Sequence, residues 1–118
     1  MRKRRTDANQ AMIVHSLQWA GYHVTDLSAV GKGVPDLLCT HAGQCYLIEI
    51  KNKQGRNSFT PSQVEYYAQV KAPVFVIRTI NDVESFIKGE LSAINYEKTA
   101  INRQNGGIKA EKASTLDG

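Results

Sequence analysis

Asp36 follows Pro35, and thirteen residues later Glu49 and Lys51 flank Ile50. The stretch Cys45 to Lys51 alternates as a strand does, with Tyr46, Ile48 and Ile50 on one face and Cys45, Leu47, Glu49 and Lys51 on the other. Period two therefore puts Glu49 and Lys51 on one side, about 7 Å apart along the strand. A preceding strand, Val34 to Thr40, turns back through the short hairpin His41-Ala42-Gly43-Gln44 and returns Asp36 beside them. A hard divalent cation wants oxygen ligands; Asp36, Glu49, the backbone carbonyl of Ile50 and waters suit Mg²⁺, with Mn²⁺ as a substitute. Such an ion polarises a phosphoryl oxygen and lowers the pKa of its water, while a nearby lysine holds that water or offsets transition-state charge. This is chemistry for cutting a phosphodiester. The plainer alternative is a surface ion pair across a hairpin, worth little energetically. Against it, Glu49 and Lys51 interrupt a strand otherwise made of Tyr, Leu and Ile.

The elements that must position these residues are legible along the chain. A first helix is expected from Ala8 to Ala20, with Asp7 as N-cap and Gly21 as the left-handed C-terminal residue. Its inward face carries Ile13, Val14, Leu17 and Ala20, with Gln10 one turn earlier and Met12 and Trp19 broadening the apolar stripe. Tyr22 to Leu27 reads as a strand, and Ser28 to Gly33 as a flexible connection with glycines on both sides of Lys32. Asn52 to Phe59 reads as polar loop. Thr60-Pro61-Ser62-Gln63 then starts a helix reaching Lys71, with Thr as N-cap, Pro at the first position and Gln closing a capping box. Pro73 to Ile77 is a nearly continuous apolar run, the pattern of a buried parallel strand. Asn81-Asp82-Val83-Glu84 supplies a second capping box and opens a last helix bearing Val83, Phe86, Ile87 and Leu91. The expected fold is α/β, in the order α-β-β-β-α-β-α, a mixed central sheet flanked by helices.

Composition bounds the rest. A chain of 118 residues makes one domain, and 42% hydrophobic residues with nine Gly and three Pro is neither disordered nor fibrous. No apolar run approaches the ~20 residues of a membrane span, and Met1-Arg2-Lys3-Arg4-Arg5 lacks the apolar stretch of a secretory signal. Fifteen Lys and Arg stand against eleven Asp and Glu, a net charge of +4. Arg2, Lys3, Arg4 and Arg5 account for that whole excess, so the positive charge is local: the arm, and the run Lys51, Lys53, Arg56. That placement suits a polyanion touched at two points, or equally a solvated terminus. Lys32, Lys53 and Arg56 are candidate phosphate contacts. Tyr66 and Tyr67 either stack on bases or pack in the core. Cys39, His41 and Cys45 make only three zinc ligands at unusual spacing, and two cysteines point to a reducing cytoplasm.

Val34-Pro35-Asp36-Leu37-Leu38 with Leu47-Ile48-Glu49-Ile50-Lys51 resembles the PD-(D/E)XK nuclease motif. The helix ending at Gly21, Lys32-Gly33 before Pro35-Asp36, Thr60-Pro61-Ser62-Gln63 and Val74 to Ile77 followed by Asn81-Asp82-Val83 are similar to the VRR-NUC branch, whose small stand-alone members resemble Holliday-junction resolvases. The resemblance covers residues 7–88. It implies a restriction-endonuclease-like fold, metal ligation by Asp36 and Glu49, a catalytic Lys51, and Gln63 as the helix glutamine of the active site. The family's first-helix acid is replaced here by Gln10, which is left as a candidate metal ligand. The implied activity is Mg²⁺-dependent hydrolysis of DNA, leaving a 5′-phosphate, on branched or Holliday-junction substrates by a homodimer. Implied too is an intracellular, bacterial or phage-encoded setting. An inactive DNA-binding or assembly module and an RNA nuclease are the alternatives. The expected organisation is a basic arm over 1–6, a nuclease domain over 7–91 and a polar tail over 92–118.

Overall fold

The computed structural model describes residues 5–51 and 59–94. The arm residues Arg2, Lys3 and Arg4, the loop residues Lys53 and Arg56, and the tail beyond Ile94 lie outside the described residues, as does the side chain of Arg5. Seven elements follow one another: α1 (Arg5–Trp19), β1 (His23–Asp26), β2 (Leu37–His41), β3 (Gln44–Ile50), α2 (Pro61–Val70), β4 (Val74–Ile77) and α3 (Ile80–Ile87). The strands form one sheet in the order β1-β2-β3-β4. β1 and β2 pair antiparallel, as do β2 and β3, and β4 joins β3 in parallel. This is a small α/β fold with a mixed four-stranded sheet, in the element order the sequence predicts.

Local chemistry explains the joints. Ala42 and Gly43 both have positive φ, 51° and 80°, so the two-residue hairpin between β2 and β3 is of the type whose twist matches paired strands. Lys32 (φ 58°) and Gly33 (φ 83°) form the centre of a second such turn, closed by the Val34 amide donating to the Gly31 carbonyl at 3.1 Å. That turn delays β2 to Leu37, three residues after the expected Val34. Helix α2 carries the expected capping box: the Thr60 hydroxyl accepts from the Gln63 amide, and the Gln63 side chain accepts from the Thr60 amide.

The strand alternation sorts side chains onto two faces. Ile13 and Leu17 of α1, Leu37 and Cys39 of β2, Ile48 of β3, Ile77 of β4, and Val83 and Phe86 of α3 form the first core. Phe59, Val64, Tyr67 and Val74 form a second core under α2, with Leu47, Val76 and Ile94 packed against it.

Several expectations are corrected. Helix α1 starts at Arg5, so Asp7 lies inside its first turn rather than capping it. Met12 and Trp19 do not widen the buried stripe: they are 57% and 86% exposed. Trp19 stands two residues after Leu17, about 200° around the helix, and so points away from the sheet. The last helix is capped by Thr79, with Asp82 rather than Glu84 closing the box. Phe59 is not loop surface but a buried member of the second core. The ordered chain also continues past Leu91: the Ile94 amide donates to the Val74 carbonyl at 2.7 Å, occupying the outer edge of β4.

Candidate active site

The carboxyl end of β3 gathers Asp36, Glu49, Lys51 and Gln63. Asp36 lies immediately before β2, where its carbonyl accepts from the Leu27 amide at 2.7 Å and extends the ladder with β1. Its Oδ2 accepts from the Ile50 amide at 2.8 Å, which ties the carboxylate across to the end of β3. Ile50 enters this contact through its amide; its carbonyl, the group expected to face a metal, is a separate atom that this bond leaves untouched.

Glu49 is the buried charged residue of the described chain, only 6% exposed. Strand alternation turns it toward α2 instead of the first core, and α2 answers with Gln63. The Gln63 Nε2 donates to Glu49 Oε2 at 2.9 Å. Its Oε1 accepts from the Thr60 amide at 2.9 Å and from Lys51 Nζ at 3.4 Å. The capping bond decides the amide's orientation: because Oε1 must accept from Thr60, only the NH₂ end is left for the carboxylate. A glutamate at 63 would cap the helix equally well but set a second negative charge against Glu49. The cap and the site therefore select glutamine together.

Lys51 completes the group, with Nζ 3.7 Å from Glu49 Oε2 and 5.1 Å from the centroid of the Phe59 ring. The ring face and the carboxylate hold the ammonium from two sides. Burial pushes the Glu49 carboxyl up to about 7, and the neighbouring negative charge of Asp36 adds to the rise; Lys51 and Gln63 oppose it. Burial likewise raises Asp36, with the Ile50 amide and Lys51 pulling the other way. Each carboxyl thus holds its proton more tightly than in water, burial being the main cause in both.

Gln10 is tied to the end of β1: its Nε2 donates to Asp26 Oδ2 at 3.3 Å, and among the described residues it has no hydrogen bond to Asp36 or Glu49. Asp26, which the sequence reading passed over, is close enough for its charge to raise Asp36 further. The Ser28 hydroxyl and amide, with Gln10, hold Asp26 below the usual carboxylate range. The signal was available: Asp26 ends a strand adjacent to the one that Asp36 precedes.

Gly33 is a second missed residue. A Cβ there would stand 2.2 Å from the Ser62 carbonyl oxygen and 2.8 Å from the Gln63 amide nitrogen. The turn bearing the exposed Lys32 is thereby pressed against the first turn of α2, and Lys32 stands at the rim of the site. Cys39 is buried in the first core, its thiol pushed up to about 11, whereas Cys45 is exposed and pairs with Thr40 on the other face. His41 stacks on Tyr22 with ring centroids 4.5 Å apart. These three residues do not converge.

Among the described residues, no group of three or more His, Cys, Asp or Glu gathers around a point that a metal ion would occupy. Two carboxylates with separate free oxygens do fit a hydrated hard cation, which keeps several waters and needs one or two protein carboxylates. Oδ1 of Asp36 and Oε1 of Glu49 make no hydrogen bond among the described residues, while the opposite oxygen of each is anchored. The Tyr67 hydroxyl, within electrostatic reach of both carboxylates, is buried with no hydrogen-bond partner among the described residues, the kind of orphaned polar atom that a bound water would satisfy. No family model and no curated protein matches the chain. No helix among the described residues is long and apolar enough to cross a membrane.

Proposed function

We propose that the Asp36, Glu49, Lys51 and Gln63 site hydrolyses phosphodiester bonds of DNA with Mg²⁺, Mn²⁺ substituting. The observation that carries this reading is the anchored pair of carboxylates: each has one oxygen fixed by the protein and one free, with an ammonium held alongside. A purely structural ion pair would not need a second acid pressed against a buried Glu49, because that arrangement costs stability. The element order and sheet order are compatible with the restriction-endonuclease-like fold that the sequence motif implies.

Bound Mg²⁺ supplies Lewis acidity toward a phosphoryl oxygen and a more acidic water. Asp36 and Glu49 hold that charge in place, and Gln63 fixes the rotamer of Glu49. Lys51 donates to the phosphoryl oxygen that gains negative charge as water oxygen bonds to phosphorus. The attacking water releases one proton to solvent as its oxygen bonds to phosphorus; the bond from phosphorus to the 3′ oxygen breaks, that oxygen takes a proton from solvent water, and the product strands end in a 3′-hydroxyl and a 5′-phosphate. Lys32 contacts a flanking phosphate, and Arg2, Lys3, Arg4, Arg5, Lys53 and Arg56 are further phosphate contacts by charge alone. Branched DNA is the substrate that this small surface favours. A two-fold dimer supplies the second active site that paired cuts across a junction require. The exposed Trp19 and Met12, one α1 face apart from the sheet, are the residues for its interface.

Cleavage of duplex, flap, four-way-junction and RNA substrates with and without Mg²⁺ tests the proposal. Branched DNA should be cut only with the metal. Lys51→Ala should lose roughly 100-fold or more in rate while keeping calorimetric metal binding, because its work is in the transition state. A Lys51→Ala protein that cuts at the wild-type rate refutes the assigned role. Cutting of RNA alone changes the substrate, and DNA binding without any cutting identifies an inactive binding module.

A further inference from the structure

Tyr67 is the largest fully buried side chain, at 0% exposure, and its hydroxyl has no hydrogen-bond partner among the described residues. A buried, unpartnered hydroxyl costs about 1–3 kcal/mol, and phenylalanine fills the same space without that cost. The placement of this hydroxyl is specific. Tyr67 follows Gln63 by four residues on α2, so the two side chains lie one above the other on the helix face turned to the sheet. Gln63 is bonded to Glu49, and Phe59, which carries the Lys51 ammonium on its ring, meets the Tyr67 ring edge-on at 5.3 Å. Tyr67 therefore belongs to the wall that carries Glu49, Lys51 and Gln63, not to a remote part of the core.

We propose that Tyr67 is a positioning residue of the carboxylate site: its hydroxyl donates to a water of a hydrated divalent cation held by Asp36 and Glu49. The inference rests on the cation-site reading of the previous section and adds a residue that the sequence motif does not contain. Three observations agree. The hydroxyl is unpartnered among the protein groups described, so a hydrogen bond is available without breaking another. One oxygen of each carboxylate is likewise free of protein partners among the described residues. Burial raises the phenol above its ordinary value, and the negative charges of Glu49 and Asp36 add to the rise, so both carboxylates lie within electrostatic reach of the hydroxyl. A buried donor that feels the charge of both acids can orient a water they share, and outer-sphere partners of this kind contribute about 10-fold or more to metal affinity.

The test is calorimetric titration of Mn²⁺ into the full chain and into Tyr67→Phe, with Tyr66→Phe on the same helix as the control. Thermal melts in chelator show that each variant folds. Tyr67→Phe should melt at or above the wild-type temperature without metal, yet bind Mn²⁺ about 10-fold more weakly. Tyr66→Phe should bind as the wild type does. Binding by the wild type with equal binding by Tyr67→Phe overturns the positioning role and leaves the carboxylate site standing. Failure of the wild type itself to bind Mn²⁺ or Mg²⁺ overturns the cation site, and the role of Tyr67 with it.

Discussion

The two faces of β3 are built from the same seven residues and have opposite characters. Toward α1 and α3, Tyr46, Ile48 and Ile50 meet an apolar layer in which Phe86 is the hub, with rings of Phe75, Tyr46 and Tyr22 centred 5.0, 5.2 and 5.5 Å away. Toward α2, Leu47 is followed by Glu49, and the layer ends in charges, an amide and a buried hydroxyl. The first face gains stability with nearly every contact, because burying apolar area needs no partner of matched polarity. The second holds two acids and a phenol away from water and satisfies them incompletely. The ionisable and hydrogen-bonding groups are thus concentrated on one side of the sheet, separated from the larger apolar core by the thickness of a strand.

Substitutions at neighbouring positions, one per face, should break this contrast most sharply. Ile48→Ala removes a fully buried side chain and should cost about 2–5 kcal/mol of stability, while the folded fraction keeps its rate of cleavage. Glu49→Gln should do the reverse: on the proposed reading it removes a metal ligand and loses cleavage by roughly 100-fold or more, with stability at neutral pH unchanged or raised. Denaturant melts and single-turnover assays on the two variants separate the outcomes. Equal stability losses in both would mean that the α2 face is ordinary core.

The next largest effect is on pH dependence. The Glu49 carboxyl sits near 7 in the folded protein against an ordinary 4.5. A raised value means that the folded state holds the proton more tightly than the unfolded chain. Its contribution to stability is therefore complete below the unfolded value of 4.5 and lost as pH rises through the folded value of about 7. Converted, the shift corresponds to about 3 kcal/mol, with the raised Asp36 acting in the same direction. In chelator, Glu49→Gln should gain on the wild type steadily between about pH 5 and about pH 8. A constant difference across that range would show that Glu49 titrates normally. The apolar face offers no counterpart: Ile48→Val should shift all melts equally.

Gly33→Ala probes the joint between the two regions, and the titration shift that separates its two roles should be the smallest of these effects. Its left-handed backbone, φ 83°, alone costs an alanine about 1–2 kcal/mol. The added Cβ must also displace Ser62 and the Gln63 amide, carrying Gln63 away from Glu49. Since that hydrogen bond lowers the Glu49 carboxyl, its loss should move the Glu49 titration above about 7. Carbon-detected NMR of the side-chain carboxyl reads this directly. Destabilisation with an unmoved titration would confine Gly33 to a packing role.

Much of this architecture follows from short-range rules that need only the chain. Alternation at Cys45–Lys51 placed Glu49 and Lys51 together; Ala42-Gly43 specified a tight hairpin and so returned Asp36 to them; Thr60, Pro61 and Gln63 specified a helix start. Each is a matter of backbone period or of a side chain bonding within three residues of itself, so each is written in neighbouring letters. The misplaced features share the opposite property. Trp19 and Met12 were assigned to a buried stripe because both are apolar, but which side of a helix meets a sheet depends on what packs there. Phe59 was assigned to a loop because polar residues precede it, whereas a ring beneath Lys51 is decided by contacts with Tyr67, eight residues on.

The sequence by itself determined the element order, the strand faces and the proximity of Asp36, Glu49 and Lys51, because strand period and turn geometry act over a few residues. Only the tertiary structure decided that Gln10 turns to Asp26, that Gly33 seats a loop on α2, and that the Tyr67 hydroxyl is buried without a hydrogen-bond partner among the described residues. Those outcomes depend on how separate elements pack, and packing is settled by shape and desolvation across the whole sheet, which no local pattern encodes.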